Sequence, residues 1–195
     1  MKMLKTLFFS LAFVGLSTAA YSKDFTVNSK KSKVSWYGSK IVGGSHNGTI
    51  GIKAGKLNVA KGTLKSGSID IDMTSIVNLD ISSEKFNKKL VGHLESNDFF
   101  GVKKHPVAKF TTTKVQPLKD GLHRVWGKMT IKGKTKDVDF LAKVDTAGKN
   151  VTARGEIKLD RTDFDVKYGS GKFFDDLGDK MISDEIKLNF ELVAN

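Results

Sequence analysis

Apolar and polar residues alternate with a period of two along most of this chain. In 68–73, Ile69, Ile71 and Met73 share one phase, and Ser68, Asp70 and Asp72 share the other. In 136–145, Val138, Phe140, Ala142 and Val144 oppose Asp137, Asp139 and Lys143. In 151–159, Val151, Ala153, Gly155, Ile157 and Leu159 oppose Thr152, Arg154, Glu156 and Lys158. In 185–192, Ile186, Leu188, Phe190 and Leu192 oppose Glu185, Lys187, Asn189 and Glu191. A strand with one wet face and one buried face produces this pattern. Weaker alternation over 33–42, 47–53, 107–116 and 123–132 brings the predicted strands to about eight. Turn signals at Gly43-Gly44, Asp120-Gly121, Lys132-Gly133 and Ala147-Gly148 separate several of them. Such short links make neighbouring strands antiparallel.

One segment departs from the period. From 83 to 96 the apolar residues Phe86, Leu90 and Leu94 recur every four positions, which predicts a helix with one apolar stripe. Ser82 or Ser83 suits its N-cap, and Glu84 suits the positive end of its dipole. A second insertion, 161–181, is rich in Gly, Asp and aromatics. It reads as a long structured loop with a helical turn around Phe173 to Leu177.

Eight one-sided strands must bury their apolar faces, and closing the sheet on itself also removes exposed edges. The expected fold is all-β: an eight-stranded antiparallel barrel with one helix inserted near 83–96. A barrel of that size leaves room for side chains or one small ligand. The inward phase includes Gly127, Gly155, Ala108, Ala142 and Ala153, which predicts interior space, although small residues equally let another element pack closely.

The N-terminus changes the setting. Lys2 and Lys5 precede an apolar run from Leu7 to Leu16, and Ala20-Tyr21-Ser22 offers small residues for cleavage. This is the pattern of a secretory signal peptide over 1–22, too short to span a bilayer comfortably. Cleavage leaves 23–195 as one soluble domain in the periplasm or otherwise secreted. The chain has no Cys, so its stability rests on burial and backbone pairing, and thiol chemistry is excluded. Net charge is +12, but the lysines are spread along the chain with no run longer than two. Nucleic acid is therefore not an expected partner, whereas weak attraction to an anionic membrane surface is.

Candidate chemistry is sparse. His46, His93, His105 and His123 form no HExxH or other short His pair. The acidic Asp175, Asp176, Asp179 and Asp184 do not follow an EF-hand spacing, and there is no Gly-x-Ser-x-Gly elbow. Asp98 is expected to fix a turn through its carboxylate. His93 is expected to hydrogen-bond the loop after it or to meet a ligand headgroup at the mouth. Arg161 and Asp163 are expected to pair near the rim. No catalytic or metal-ligating residue is assigned, and the chain is not expected to be an enzyme. The residues assigned to an apolar ligand are Trp36, Phe86, Leu90, His93, Phe99, Phe100, Phe110, Met129, Phe140, Phe164 and Phe190.

Several stretches, taken together and in order, carry a resemblance. They include Trp36-Tyr37-Gly38-Ser39-Lys40, Ile71-Asp72-Met73-Thr74-Ser75-Ile76, Gly92-His93-Leu94-Glu95-Ser96-Asn97-Asp98-Phe99-Phe100, His105-Pro106-Val107-Ala108-Lys109-Phe110, Asp160-Arg161-Thr162-Asp163-Phe164 and Phe173-Phe174-Asp175. The set resembles the YceI-like family from about Phe25 to Ala194. The resemblance implies a lipocalin-like barrel in the periplasm that threads a polyisoprenoid tail, such as that of a quinone, along an apolar pore. It also implies that homodimers occur. Two positions depart from the pattern, His105 where many members have Tyr and Gly101 where many have Asp; both are expected at the barrel mouth. The expected function is an exported carrier of an isoprenoid or similar long apolar lipid, with no other cofactor. The alternatives are a solid-cored structural or stress-response envelope protein and, further off, a metal-dependent enzyme using His93 and His105.

Overall fold

The computed structural model describes residues 22–195, so the expected signal peptide lies outside the described residues apart from Ser22. The strands are β1 (Ser22–Thr26), β2 (Lys33–Lys40), β3 (Ser45–Ala60), β4 (Thr63–Asn78), β5 (Val107–Pro117), β6 (Leu122–Ile131), β7 (Lys134–Ala147), β8 (Asn150–Asp160) and β9 (Ile182–Ala194). One α-helix, α1 (Glu84–Glu95), joins β4 to β5. Every pairing is antiparallel. Running from β2 through β3 and onward to β9, each strand pairs with the next, and β9 pairs back to β2. The sheet is thus a closed eight-stranded barrel, and closure leaves none of those eight as an open edge.

The ninth strand, β1, carries no alternation that marks it in the sequence. It pairs with the far end of β3, where β2 has already left that strand, with Phe25 opposite Leu57. At its other side Val27 bridges Ala194, and Thr26 and Asn195 exchange backbone hydrogen bonds. β1 and β2 therefore act as one interrupted stave between β3 and β9.

β3 and β4 are much longer than the alternation predicts. Their pairing shifts register near Thr49/Gly51, Ile52/Ala54 and Asn58/Val59. The first adds three residues to β4, the second one to β3 and the third one to β4, and each odd offset resets the period of two, which hides the strand from a pattern search. The freed backbone groups find partners. Ser75 Oγ accepts from Gly51 N–H at 2.7 Å and donates to the Asp72 carbonyl at 2.6 Å.

The inward phase is the one the sequence marks. Ile69, Ile71, Met73, Ala142, Val144, Val151, Ala153, Ile157, Leu159 and Leu192 are buried, with Val138, Phe140, Ile186, Leu188 and Phe190 packed against them. The end formed by the β3–β4, β5–β6 and β7–β8 turns is closed. There His123 Nε2 accepts from Leu64 N–H at 3.3 Å, and Nδ1 donates to the Gly121 carbonyl at 2.9 Å. The opposite end carries α1 and the 161–181 connection. Within that connection the expected helical turn at Phe173–Leu177 is absent; short 3-10 turns form instead at Arg161–Phe164 and Gly178–Lys180. Among the described residues no helix is long and apolar enough to cross a membrane.

Two of the small inward residues do not make space. Across the β8–β9 pair, Gly155 faces Phe190, and the Phe110 ring lies over Gly127 from β5. Rings from neighbouring strands fill both positions, which is the close-packing alternative.

Candidate functional site

The end of the barrel that carries α1 is hollow. A cavity of about 400 Å³ opens there, within the ~300–1,000 Å³ span of small-molecule pockets. Its walls are apolar: Ile50, Ile71, Met73, Ile76, Ala108, Ile131, Ile186 and Leu188 come from the staves. α1 lies across the opening and contributes Leu90, His93 and Leu94. The chain after α1 adds Phe99 and Phe100, and the 161–181 connection adds Tyr168. Polar groups gather only at the mouth, where Ser39, Lys40, His46, Lys180 and Ser183 stand. Exposed apolar side chains ring the same end: Ile41, Val42, Leu79, Phe86, Phe173 and Phe174.

Deeper in the bore lies a second, smaller void of about 70 Å³, lined by Phe110, Phe140 and Phe190 among others. Their rings form a chain, with centroids 5.3 Å apart between Phe110 and Phe140 and 5.6 Å apart between Phe140 and Phe190. Ile71, Met129 and Leu188 line both spaces. The deeper half of the barrel comes nearer to the solid core of the alternative reading, with this small void left among its side chains.

The residues assigned from sequence divide accordingly. Trp36, Leu90, His93, Phe99, Phe100 and Met129 line the large cavity. Phe110, Phe140, Phe190 and again Met129 line the small one. Two of the assigned residues lie outside both spaces. Phe86 is 59% exposed and lines neither space. Positions four apart drift by about 40° per step around a 3.6-residue helix, so Phe86 has turned away from the side that carries Leu90 and Leu94. Phe164, at the start of the 161–181 connection, is buried in the main hydrophobic core but lines neither cavity. Sequence reasoning favoured aromatics and so missed the aliphatic wall; the signal was present, because Ile71, Met73, Ile131 and Leu188 share the inward phase.

Polar side chains hold the mouth in shape. Arg161 is 2% exposed and uses its whole guanidinium on the chain around it. Nε donates to the Ser183 carbonyl at 2.9 Å, and Nη1 donates to the Val166 and Tyr168 carbonyls, each at 2.8 Å. Nη2 donates to the Ile182 carbonyl at 3.1 Å and lies 3.3 Å from Asp184. Burial lowers its pKa, with Asp184 and Asp160 acting in the other direction. The expected Arg161–Asp163 pair does not form. Asp163 instead lies 3.6 Å from Lys136, while Asp184 leaves the acidic surface patch to face Arg161 and Lys172. Arg161 is thus a staple for the loop rather than a free cation for a headgroup.

Across the opening, Asp80 ties the start of β3 to the end of β4. Its carboxylate accepts from Asn47 N–H at 2.8 Å and Asn78 Nδ2 at 2.5 Å, and it meets His46 Nδ1 at 2.7 Å. Burial works to raise the Asp80 pKa, but the hydrogen bonds from Asn47, His46 and Asn78 outweigh it and hold the carboxyl below its ordinary value. The His93 carbonyl accepts from Ser96 N–H and Oγ, but its ring does not hydrogen-bond the loop after it. Its ring meets Phe99 and Tyr168 edge-on, at 4.9 and 4.6 Å, and Nε2 is 3.6 Å from Asp98, too far for a hydrogen bond. The turn expected of Asp98 is fixed by Ser96, whose Oγ accepts from Asp98 N–H. Gly101 adopts φ 57°, a left-handed conformation that suits glycine, and His105 packs over Gly101 and Gly133 rather than lining the mouth. Among the described residues no three His, Asp or Glu side chains converge to hold a metal ion.

A closed antiparallel barrel with one helix over an apolar, one-ended cavity defines a lipocalin-like binding architecture. The YceI-like domain family matches residues 25–194, and the chain belongs to that family. It resembles the crystal structure of Burkholderia cenocepacia BcnA with a TM-score of 0.68 and 26% identity, over 87% of this chain and 99% of that one. It shares the fold of a polyisoprenoid binding domain from Saccharophagus degradans implicated in plant cell wall breakdown, with a TM-score of 0.64, 15% identity and coverage of 88% and 97%. A UPF0312 protein of Photorhabdus laumondii is 36% identical over 105 residues, 49% of this chain and 50% of that protein. The chain spans about a third of the length of the Pseudomonas putida UPF0312 proteins it matches, 58 residues at 43% identity.

Proposed function

We propose that this chain is an exported carrier that holds an isoprenoid, or a similar long apolar lipid, in the barrel and shields it from water without catalysing a reaction. The observation that carries the reading is the apolar cavity of about 400 Å³ reached from one end of a closed barrel. Each buried methylene contributes about 0.8 kcal/mol, so a branched hydrocarbon tail needs few polar contacts to bind well. The family and its polyisoprenoid-binding structural neighbour support an apolar ligand over a reaction substrate. The basic and apolar segment before Ser22 supports export to the periplasm. The excess of lysine supports a weak attraction to anionic membrane surfaces, and a homodimer rests on the resemblance alone.

Gentle purification from the native envelope followed by native mass spectrometry tests the carrier reading. The expected result is a protein that retains an apolar compound or takes up isoprenoids after delipidation. Protein that is empty and refuses every isoprenoid offered would overturn it. The mass of the purified chain tests export, with loss of the first 22 residues expected.

A further inference from the structure

The two interior spaces are parts of one bore, separated by the side chains that line both: Ile71 from β4, Met129 from β6 and Leu188 from β9. Met129 is 1% exposed, and its thioether chain is flexible enough to be the adjustable member of the three. Beneath it the linked rings of Phe110, Phe140 and Phe190 obstruct the bore, held in place by the absence of a side chain at Gly127 and Gly155. The small void around these rings also touches Leu57, Leu64, Val125, Ala142 and Leu192 toward the closed end, where His123 accepts from Leu64 N–H.

Building on the carrier reading, we propose that Met129, with Ile71 and Leu188, forms a floor that measures the ligand tail, and that the preferred ligand has a short isoprenoid tail of about three units. Two observations converge on that length. Along β9 the cavity runs from Ile182 at the mouth to Leu188 at the floor. Six residue steps of about 3.3 Å on a strand tilted about 40° give a depth of about 15 Å. The volume agrees: at about 30 Å³ for a group the size of a water or a methylene, about 400 Å³ holds about thirteen such groups. Carbons beyond that number stay outside in water and add no affinity. The void of about 70 Å³ next to Met129 is a reserve beyond the floor, and removing the Met129 side chain joins it to the main cavity.

The test is a chain-length series on the purified, delipidated protein. Prenyl alcohols of ten, fifteen, twenty and forty-five carbons are delivered from a fixed detergent concentration and read by native mass spectrometry. In the parent protein affinity should rise at least ~30-fold from ten to fifteen carbons, because about three more carbons are buried before the cavity is full. It should then rise less than ~3-fold from fifteen to twenty, and no further, since the added carbons remain outside. In M129A the rise should continue to twenty carbons, by at least ~10-fold, as the lower void becomes reachable. M129W should weaken the fifteen-carbon alcohol by at least ~10-fold. L188A opens the same floor from the opposite stave and replaces M129A if that variant fails to fold by circular dichroism. Affinity that keeps climbing through twenty and forty-five carbons in the parent protein, or a plateau that neither M129A nor L188A moves, overturns the floor and leaves the carrier reading standing. Refusal of every alcohol overturns both.

Discussion

Gly155 and Phe190 stand directly opposite each other in the β8–β9 ladder, and a Cβ on Gly155 would sit 2.8 Å from the Phe190 ring and 2.6 Å from the Leu141 carbonyl. The glycine is therefore the seat of the ring. That ring in turn meets Phe140, so one missing side chain on β8 determines where the bore is blocked.

The G155A variant should be destabilised by about 1–3 kcal/mol, the usual range for overpacking a filled interior, because one of the clashing groups is backbone and cannot rotate away. G92A is the matching control. A Cβ there meets nothing within 4 Å, inside the last turn of α1, so alanine should stabilise by about 0.5–1 kcal/mol. Urea unfolding of the two variants beside the parent separates these outcomes, which differ in sign.

This pair also shows how far the sequence could be read. β7, β8 and β9 have nearly uninterrupted alternation, so their existence, their inward faces and the closed sheet were all legible. β3 and β4 were only half visible, because each bulge between Thr49 and Val59 reverses the phase of the residues after it. The short β1 is stabilised chiefly by partners distant in sequence, and five residues carry too little pattern to be recognised. An inward glycine signals either a void or a ring seated on it, and only the neighbouring strand's register decides. The half-length cavity was legible as an apolar interior, but its floor at Met129 depends on side-chain volumes from three strands that no local pattern combines. The rim position of Arg161 is legible, but its partners are split between a loop whose course the sequence does not specify and the start of β9.

Arg161 supplies the second prediction. In R161M the carbonyls of Val166, Tyr168, Ile182 and Ser183 lose their donor, and Asp184 keeps a largely buried charge without its nearest buried partner. Breaking a buried pair in this way costs about 3–5 kcal/mol. The loss should be local first. Hydrogen exchange and limited proteolysis should report opening of 161–183 before the staves, and R161K should not rescue it, since an ammonium cannot reach four carbonyls on a fixed fork.

Asp80 gives the pH dependence at the opposite lip of the mouth. Its folded pKa lies below the ordinary value of 3.8, so its contribution is fully present above about pH 4 and is lost as pH falls through the folded value. At pH 7, D80N should be less stable than the parent by about 1–2 kcal/mol, since Asn47 N–H, Asn78 and His46 each lose a charged acceptor. Once the pH falls below the folded value the carboxyl is protonated in the parent as well, and the two unfolding curves should approach each other. A gap that stays constant from pH 7 down to acid unfolding would show that the carboxylate charge contributes nothing.

The two tryptophans provide an optical reading of occupancy, because the fold places them on opposite sides of the barrel wall. Trp36 lines the cavity and anchors its indole by donating to the Val77 carbonyl at 3.2 Å. Gly48 makes room for that indole, since a Cβ there would lie 2.7 Å from it. Trp126 points outward, with Lys114 and Arg124 over its ring at 4.8 and 5.2 Å. A tail entering the cavity displaces water from around Trp36 and leaves Trp126 untouched. The emission of the parent protein should therefore shift to the blue as a fifteen-carbon prenyl alcohol is added. W126F should keep that shift in full, and W36F should lose it. W36F should still bind, because phenylalanine preserves most of the apolar wall, and its affinity should fall by no more than about tenfold for the contact area removed. Retention of the shift in W36F would mean that the ligand sits on the outer face of the sheet, against the lysine-flanked Trp126, and not in the bore.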